Sequence, residues 1–380
     1  MVRHRFESLF SFVLSNSLLL LVGTVVASGW ANLDLTSYER LAHPLHFWIN
    51  DVGMAFFFAL AAKEVFEATL SGGALASLAH SIGPLVAAVG GMLVPATIYI
   101  TLALAVGPPV LIRGWAIPCA TDIAFSAMIA RAIFPTGHPA IPFLLLLAIA
   151  DDALGLIILA VFYPSGPLSI LSLVVIMTVA LLAAYWLKSR GVGSFWIYVV
   201  GPGSLSWVAL YVGGFHPALA LVPIVPFMPH APHDLGLFDP RESLRANVLD
   251  QFGEWWAKPV QLILLLFGFA NAGVPFSQTG PGTYYVLAAL LLGKPIGILL
   301  FSTGARLFGA RLPAGLPVRD IAIVGVAAAI GFTVSLFFAT AAFADGPTLA
   351  ETKMGAVLSF IAAPLAFLLS RALRGRDTAR

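Results

Sequence analysis

The stretch AIPFLLLLAIADDALGLIILAVFY, residues 140–163, places two adjacent aspartates, Asp151 and Asp152, near the middle of an otherwise apolar run. A helix needs about 20 mostly apolar residues to cross the hydrocarbon core of a bilayer, and this run has them. Each carboxylate at mid-depth then costs about 2.5–3.5 kcal/mol on insertion scales. Such a pair does not face lipid. It must face a hydrated cavity or opposite charges, and only other membrane-crossing helices can bring those to this depth. One stretch therefore already calls for a polytopic helical bundle.

The rest of the chain agrees. Of its 380 residues, 59% are hydrophobic and 10% are charged, against roughly 25% charged in soluble domains. Breaks at Gly, Pro and charge clusters divide it into about twelve spans, at 9–30, 45–70, 81–106, 115–134, 140–163, 167–187, 193–211, 213–229, 257–275, 283–304, 318–343 and 350–372. The first apolar run, Leu9 to Gly29, exceeds the apolar core of an ordinary signal peptide and is kept as a span. The expectation is an all-α polytopic membrane protein with a single transmembrane domain. A net charge of +2 gives no basic patch for nucleic acid, and the one cysteine, Cys119, allows no intramolecular disulfide. Zinc-ligand spacings, phosphate-binding glycine loops and nucleophile elbows are missing from the sequence. No cofactor is expected, and ATP-driven transport by this chain alone is not either.

Lys and Arg set the orientation, because they concentrate in cytoplasmic segments. With a cytoplasmic N-terminus, fifteen fall on the cytoplasmic side and three, Arg40, Arg113 and Lys353, on the other; Lys63 and Lys294 lie within spans. Both termini are thus expected inside. The most hydrophilic stretch, residues 230–256, reads as a cytoplasmic linker whose prolines, Pro232 and Pro240, oppose helix continuation.

Three further features sit at the same depth as the aspartate pair. Lys294 lies near the centre of the tenth span, and Asp122 follows a break in the fourth. Neighbouring helix positions point about 100° apart, so one of the two aspartates can pair with Lys294 while the other lines an ion path. A carboxylate accepts a proton or a hard cation such as Na⁺, and the two compete for its oxygens. A structural ion pair alone leaves two carboxylates over. The third feature is a pair of interrupted spans. Pro118 precedes Thr121 and Asp122 in the fourth, and Gly331 and Thr333 interrupt the eleventh. Matching interruptions in two halves of a chain point to a transporter's midplane site. There Asp122 offsets positive half-helix ends and Lys294 offsets negative ones.

Five motifs in this order, residues 114–125 (GWAIPCATDIAF), 148–152 (AIADD), 269–274 (FANAGV), 293–297 (GKPIG) and 330–335 (IGFTVS), resemble the NhaA-type sodium/proton antiporters. The resemblance implies inverted-topology repeats, with spans 3–5 and 10–12 forming the ion-binding core. Spans 4 and 11 would be discontinuous and crossed, and spans 1–2 and 8–9 would be interface or scaffold. It also implies roles. Asp152 would be the main ligand for Na⁺ or Li⁺, Thr121 would support the ion, and Asp151 would pair with Lys294 and carry a proton. Asp122 would compensate the crossed half-helices. Two carboxylates cycling against one Na⁺ imply electrogenic exchange of two H⁺ per Na⁺ across a bacterial inner membrane, in pH homeostasis or salt tolerance. His216 matches a histidine tied to pH response in that family, and also reads as a plain helix-start residue bonded to backbone. Glu64 and Glu67 read as an ion-attracting funnel or as an interfacial salt bridge with Lys63. After Glu64-Val65 the family usually has a basic pair and a glutamate, where this chain has Phe66, Glu67 and Ala68. The segment joining spans one and two, residues 31–44, is shorter than the family's dimerising hairpin, so a homodimer is expected only by default. Membrane lipids are the remaining expected partners.

The alternatives are a cation channel, a carrier of another solute on the same fold, and an intramembrane aspartyl protease. The protease lacks its Gly-x-Gly-Asp helix here, and Lys294 would have no task in it. A channel requires polar groups along its whole length, whereas these cluster at one depth. Carriers of organic anions do not need an acidic pair.

Overall fold

Inside a bilayer no water bonds the backbone, so each crossing segment must satisfy its own N–H and C=O groups. The computed structural model describes residues 18–70, 73, 75, 78–230, 247–307 and 316–374, and every regular element among them is helical. The start of the first expected span and most of the expected linker lie outside these residues. In chain order the helices are α1 (Leu18–Leu33), α2 (Leu35–Ala42), α3 (Phe47–Thr69), α4 (Leu78–Ala105), α5 (Ile123–Ile133), α6 (Ala140–Phe162) and α7 (Ile170–Ser189). They continue with α8 (Phe195–Gly213), α9 (Val248–Asn271), α10 (Pro281–Leu307), α11 (Val318–Ala328), α12 (Phe332–Ala342) and α13 (Pro347–Arg374). Six of them are long and apolar enough to cross a membrane, or up to nine spans if each of three bent pairs counts as one.

Two expectations fail in the region before α9. The eighth span, 213–229, is not a helix but two short 3₁₀ turns, Pro217–Leu219 and Val225–Phe227. Pro217, Pro223 and Pro226 each remove a donor and clash with the preceding turn, while Gly214 adopts φ +80° and ends α8. The linker expected over 230–256 also ends early, because α9 begins at Val248. Its Val248, Leu249, Phe252 and Trp256 are buried along one face, and Trp256 stacks on Phe56 at 3.6 Å.

Glycines set the closest helix approaches. A Cβ on Gly297 of α10 would lie 2.1 Å from the carbonyl oxygen of Gly90 in α4, and one on Gly23 of α1 would lie 2.0 Å from the Leu265 carbonyl oxygen of α9. Small residues at such crossings let backbones pack closely where lipid supplies no hydrophobic drive. In α10 the turn Ala289–Gly293 widens to a π-helix just before Lys294. Pro295 follows, and its missing N–H and its ring disturb the normal i−4 ladder at that turn.

Candidate ion-binding site

The site is built where two broken helices meet. The chain runs through 3₁₀ turns over Pro109–Cys119, breaks, and resumes as α5; α11 breaks and resumes as α12. Each pair bends by 50°. The breaks touch through backbone, since the Asp122 N–H donates to the Ile330 carbonyl at 2.7 Å. A side chain on Gly331 would meet Ser335 Oγ at 2.5 Å and the Ala120 carbonyl oxygen at 3.0 Å. Hydroxyls fasten the remaining free carbonyls: Ser126 Oγ donates to Ala327 at 2.9 Å and Ser335 Oγ to Ile117 at 2.6 Å.

Asp122 caps α5 and accepts from the Phe125 N–H at 3.4 Å. Its other oxygen accepts from the Thr333 N–H at 3.2 Å and from the Thr333 hydroxyl. One buried carboxylate therefore meets the amide-rich starts of both α5 and α12, where anions are favoured. The opposite polarity falls to Lys294, which is fully buried. Its Nζ donates to the Cys119 carbonyl at 2.5 Å and lies 3.0 Å from Asp151 Oδ2. The same Oδ2 accepts from the Thr121 hydroxyl at 2.7 Å. Thr121 therefore touches Asp151 rather than Asp152. Asp151 is fully buried, and its Oδ1 has no hydrogen-bond partner among the described residues.

Asp152, one residue on, faces elsewhere. It lines a cavity of about 190 Å³ together with Glu64, Thr121, Asp122 and Thr333. On its other side Phe337, Phe338, Leu156 and Leu159 leave a crevice of about 10 Å³, room for one water at most. Glu64 is exposed on the cavity wall. Glu67 is not part of the cavity. It pairs with Lys63 at 2.5 Å, and Lys63 also lies 3.7 Å from Asp250 of α9. His216 is also apart: its Nδ1 accepts from the Ala218 N–H at 3.4 Å and lies 3.8 Å from Asp51. The structure thus ties Asp151 to Thr121 and Lys294 and sets Asp152, Glu64, Asp122 and Thr333 around a cavity that Thr121 also lines. What the sequence reading missed are backbone acceptors, the carbonyls of Cys119, Ala327 and Ala328 (the last 3.2 Å from the Thr121 hydroxyl), which carry no residue identity to notice.

A family model described as Na⁺/H⁺ antiporter 1 matches residues 8–370. The chain belongs to that antiporter family. Its relatives include a protein of Desulfitobacterium hafniense named Na(+)/H(+) antiporter NhaA, 43% identical over 374 residues, 96% of this chain and 95% of the relative. A Geobacter metallireducens protein of the same name is 43% identical over 368 residues, covering 94% and 96%. One from Jannaschia sp. is 42% identical over 410 residues, covering 95% and 97%. Among solved structures, the sodium proton antiporter MjNhaP1 from Methanocaldococcus jannaschii superposes with a TM-score of 0.55, covering 93% of this chain and 91% of that one. At 16% identity that likeness speaks for the fold alone. Members of the antiporter family are transporters and not enzymes, which removes the protease alternative.

Proposed function

We propose that this protein is a secondary active antiporter that exports Na⁺ or Li⁺ in exchange for H⁺ by alternating access in a bacterial inner membrane. The observation that carries the reading is the division of labour between adjacent aspartates. Asp151 is tied to Lys294 and Thr121, while Asp152 faces the 190 Å³ cavity. Asp152 is then the principal cation ligand, with Thr121 close by. Asp151 carries the second proton on the oxygen left without a partner among the described residues and releases it when Na⁺ binds. Two carboxylates cycling against one Na⁺ give two H⁺ per Na⁺. The one net charge moved per cycle is worth about 2.3 kcal/mol per 100 mV, so the membrane potential helps drive Na⁺ out. Asp122 and Lys294 hold the half-helix ends without binding the ion. Salt tolerance or pH homeostasis is the physiological role that follows.

Orientation has support from which loops meet. The turns expected on the outer face, between α1 and α3, α9 and α10, and α12 and α13, line one common cavity. Segments expected inside meet one another instead: Lys63 approaches Asp250, and Arg374 Nε donates to Asp320 Oδ1 at 3.2 Å, beside His138. With the Lys/Arg bias this supports cytoplasmic termini, and the Asp152 cavity then opens inward past Glu64. The crevice behind Asp152 argues against a continuous channel.

The test is quenching of a pH-gradient dye in everted vesicles. Adding Na⁺ or Li⁺ should release the gradient in the parent, and Asp152→Asn should abolish that release. Undiminished release by Asp152→Asn would refute the ligand assignment.

A further inference from the structure

A second cavity, of about 330 Å³, lies between α2, the end of α9 and the start of α13. Exchange at Asp152 makes no use of it. On the orientation above it opens to the outer face. Its floor holds Lys353 of α13, which is only 7% exposed and makes no hydrogen bond or ion pair among the described residues. Burying an ammonium without a partner is costly, and a partner of opposite charge removes that cost. The first turn of α13 lines the same floor through Pro347, Leu349 and Ala350, so the positive end of that helix faces the cavity. His46 sits at the side, its Nε2 donating to the Ala270 carbonyl at 3.0 Å.

Two carboxylates also line the cavity, and they belong to its rim. Asp345 is 72% exposed and 3.8 Å from the equally exposed His43, and Glu39 is exposed as well. Water screens charges so placed, and Asp345 acts on the Lys353 ammonium only through space, without an ion pair. The floor is cationic and the rim is not. One buried ammonium balances one negative charge, and a dianion would leave its second charge uncompensated beside Asp345 and Glu39. Leu35, the Tyr38 ring and Val274 give the walls an apolar face, and the volume exceeds what a halide fills.

We propose that this cavity binds a small monocarboxylate, its carboxylate on Lys353 and the first turn of α13 and its apolar body against Leu35, Tyr38 and Val274. Lys353 repels Na⁺ from the same floor, so the cavity is not a cation site. The inference does not rest on the exchange reading.

The test follows thermal unfolding of the purified full chain, without Na⁺ or a pH gradient, titrated with choline butyrate against choline chloride at matched ionic strength. A saturable rise in Tm with butyrate is expected. It should vanish in Lys353→Met and persist in Lys353→Arg and Asp152→Asn. No saturable rise, an equal rise with chloride, or a parent-like response of Lys353→Met overturns the proposal. If Lys353→Met does not fold, equilibrium binding of radiolabelled butyrate decides. Ala350→Phe fills the cavity without touching its charges and should abolish binding, and undiminished binding in that variant overturns the proposal equally.

Discussion

Lys294 is fully buried and has two acceptors, the Asp151 carboxylate and the Cys119 carbonyl. Breaking a buried pair by removing one partner leaves the other charge uncompensated, at about 3–5 kcal/mol. Lys294→Ala should therefore lower thermal stability in detergent by an amount in that range, or force a proton onto Asp151 and shift the pH dependence of transport. A variant that melts and transports like the parent would contradict the pairing. The sequence made part of this legible. Charges in mid-span are costly enough that their presence alone reports partners, and Asp151, Asp152, Asp122 and Lys294 were found that way. Which aspartate meets Lys294 was not legible from spacing, since either can turn inward. The Thr121 hydroxyl lying on Asp151 instead of Asp152 depends on a sub-turn rotation that no pattern of residue types encodes.

Between elements, the approach of α4 and α10 rests on two glycines facing each other's backbone. A backbone carbonyl cannot swing aside as a flexible side chain can, so overpacking there costs about 1–3 kcal/mol or more. Gly297→Ala should destabilise the protein and disturb the turn that carries Lys294. Gly304→Ala, seven residues on in the same helix with nothing among the described residues within 4 Å of its added Cβ, should be neutral or gain up to about 1 kcal/mol of helix propensity. Equal melting of the two variants would remove the close crossing from the account. The breaks at Pro118 and Gly331 were readable because Gly and Pro act on the backbone directly. The eighth span was misread for the same kind of reason. Residues 213–229 are apolar enough for lipid, but apolarity measures the cost of immersion, not the ability to continue a helix. Three prolines decide that. The early start of α9 is hidden by Asp250, Glu254 and Lys258, which make an amphipathic helix start look like a hydrophilic linker.

For the whole molecule, exchange depends on which side each opening faces. Cys119 is the sole cysteine and is buried, so single cysteines placed at the surface can report orientation. Asp345→Cys should react with an impermeant maleimide in intact cells, and Arg371→Cys, on an exposed part of α13, only in everted vesicles. The reverse pattern would invert the topology and place the Asp152 cavity outside. Exchange also needs occupancy by Na⁺ and by H⁺ to exclude each other, and linkage turns that rule into a number. Each proton competing for the site weakens apparent Na⁺ affinity about tenfold per pH unit while it is bound. The most direct measurement is Na⁺ binding to the purified protein as a function of pH, with Asp152→Asn alongside. Affinity that weakens steeply as pH falls, with protons released on binding and no binding in Asp152→Asn, is the predicted result. Na⁺ affinity independent of pH, or binding without proton release, would contradict it.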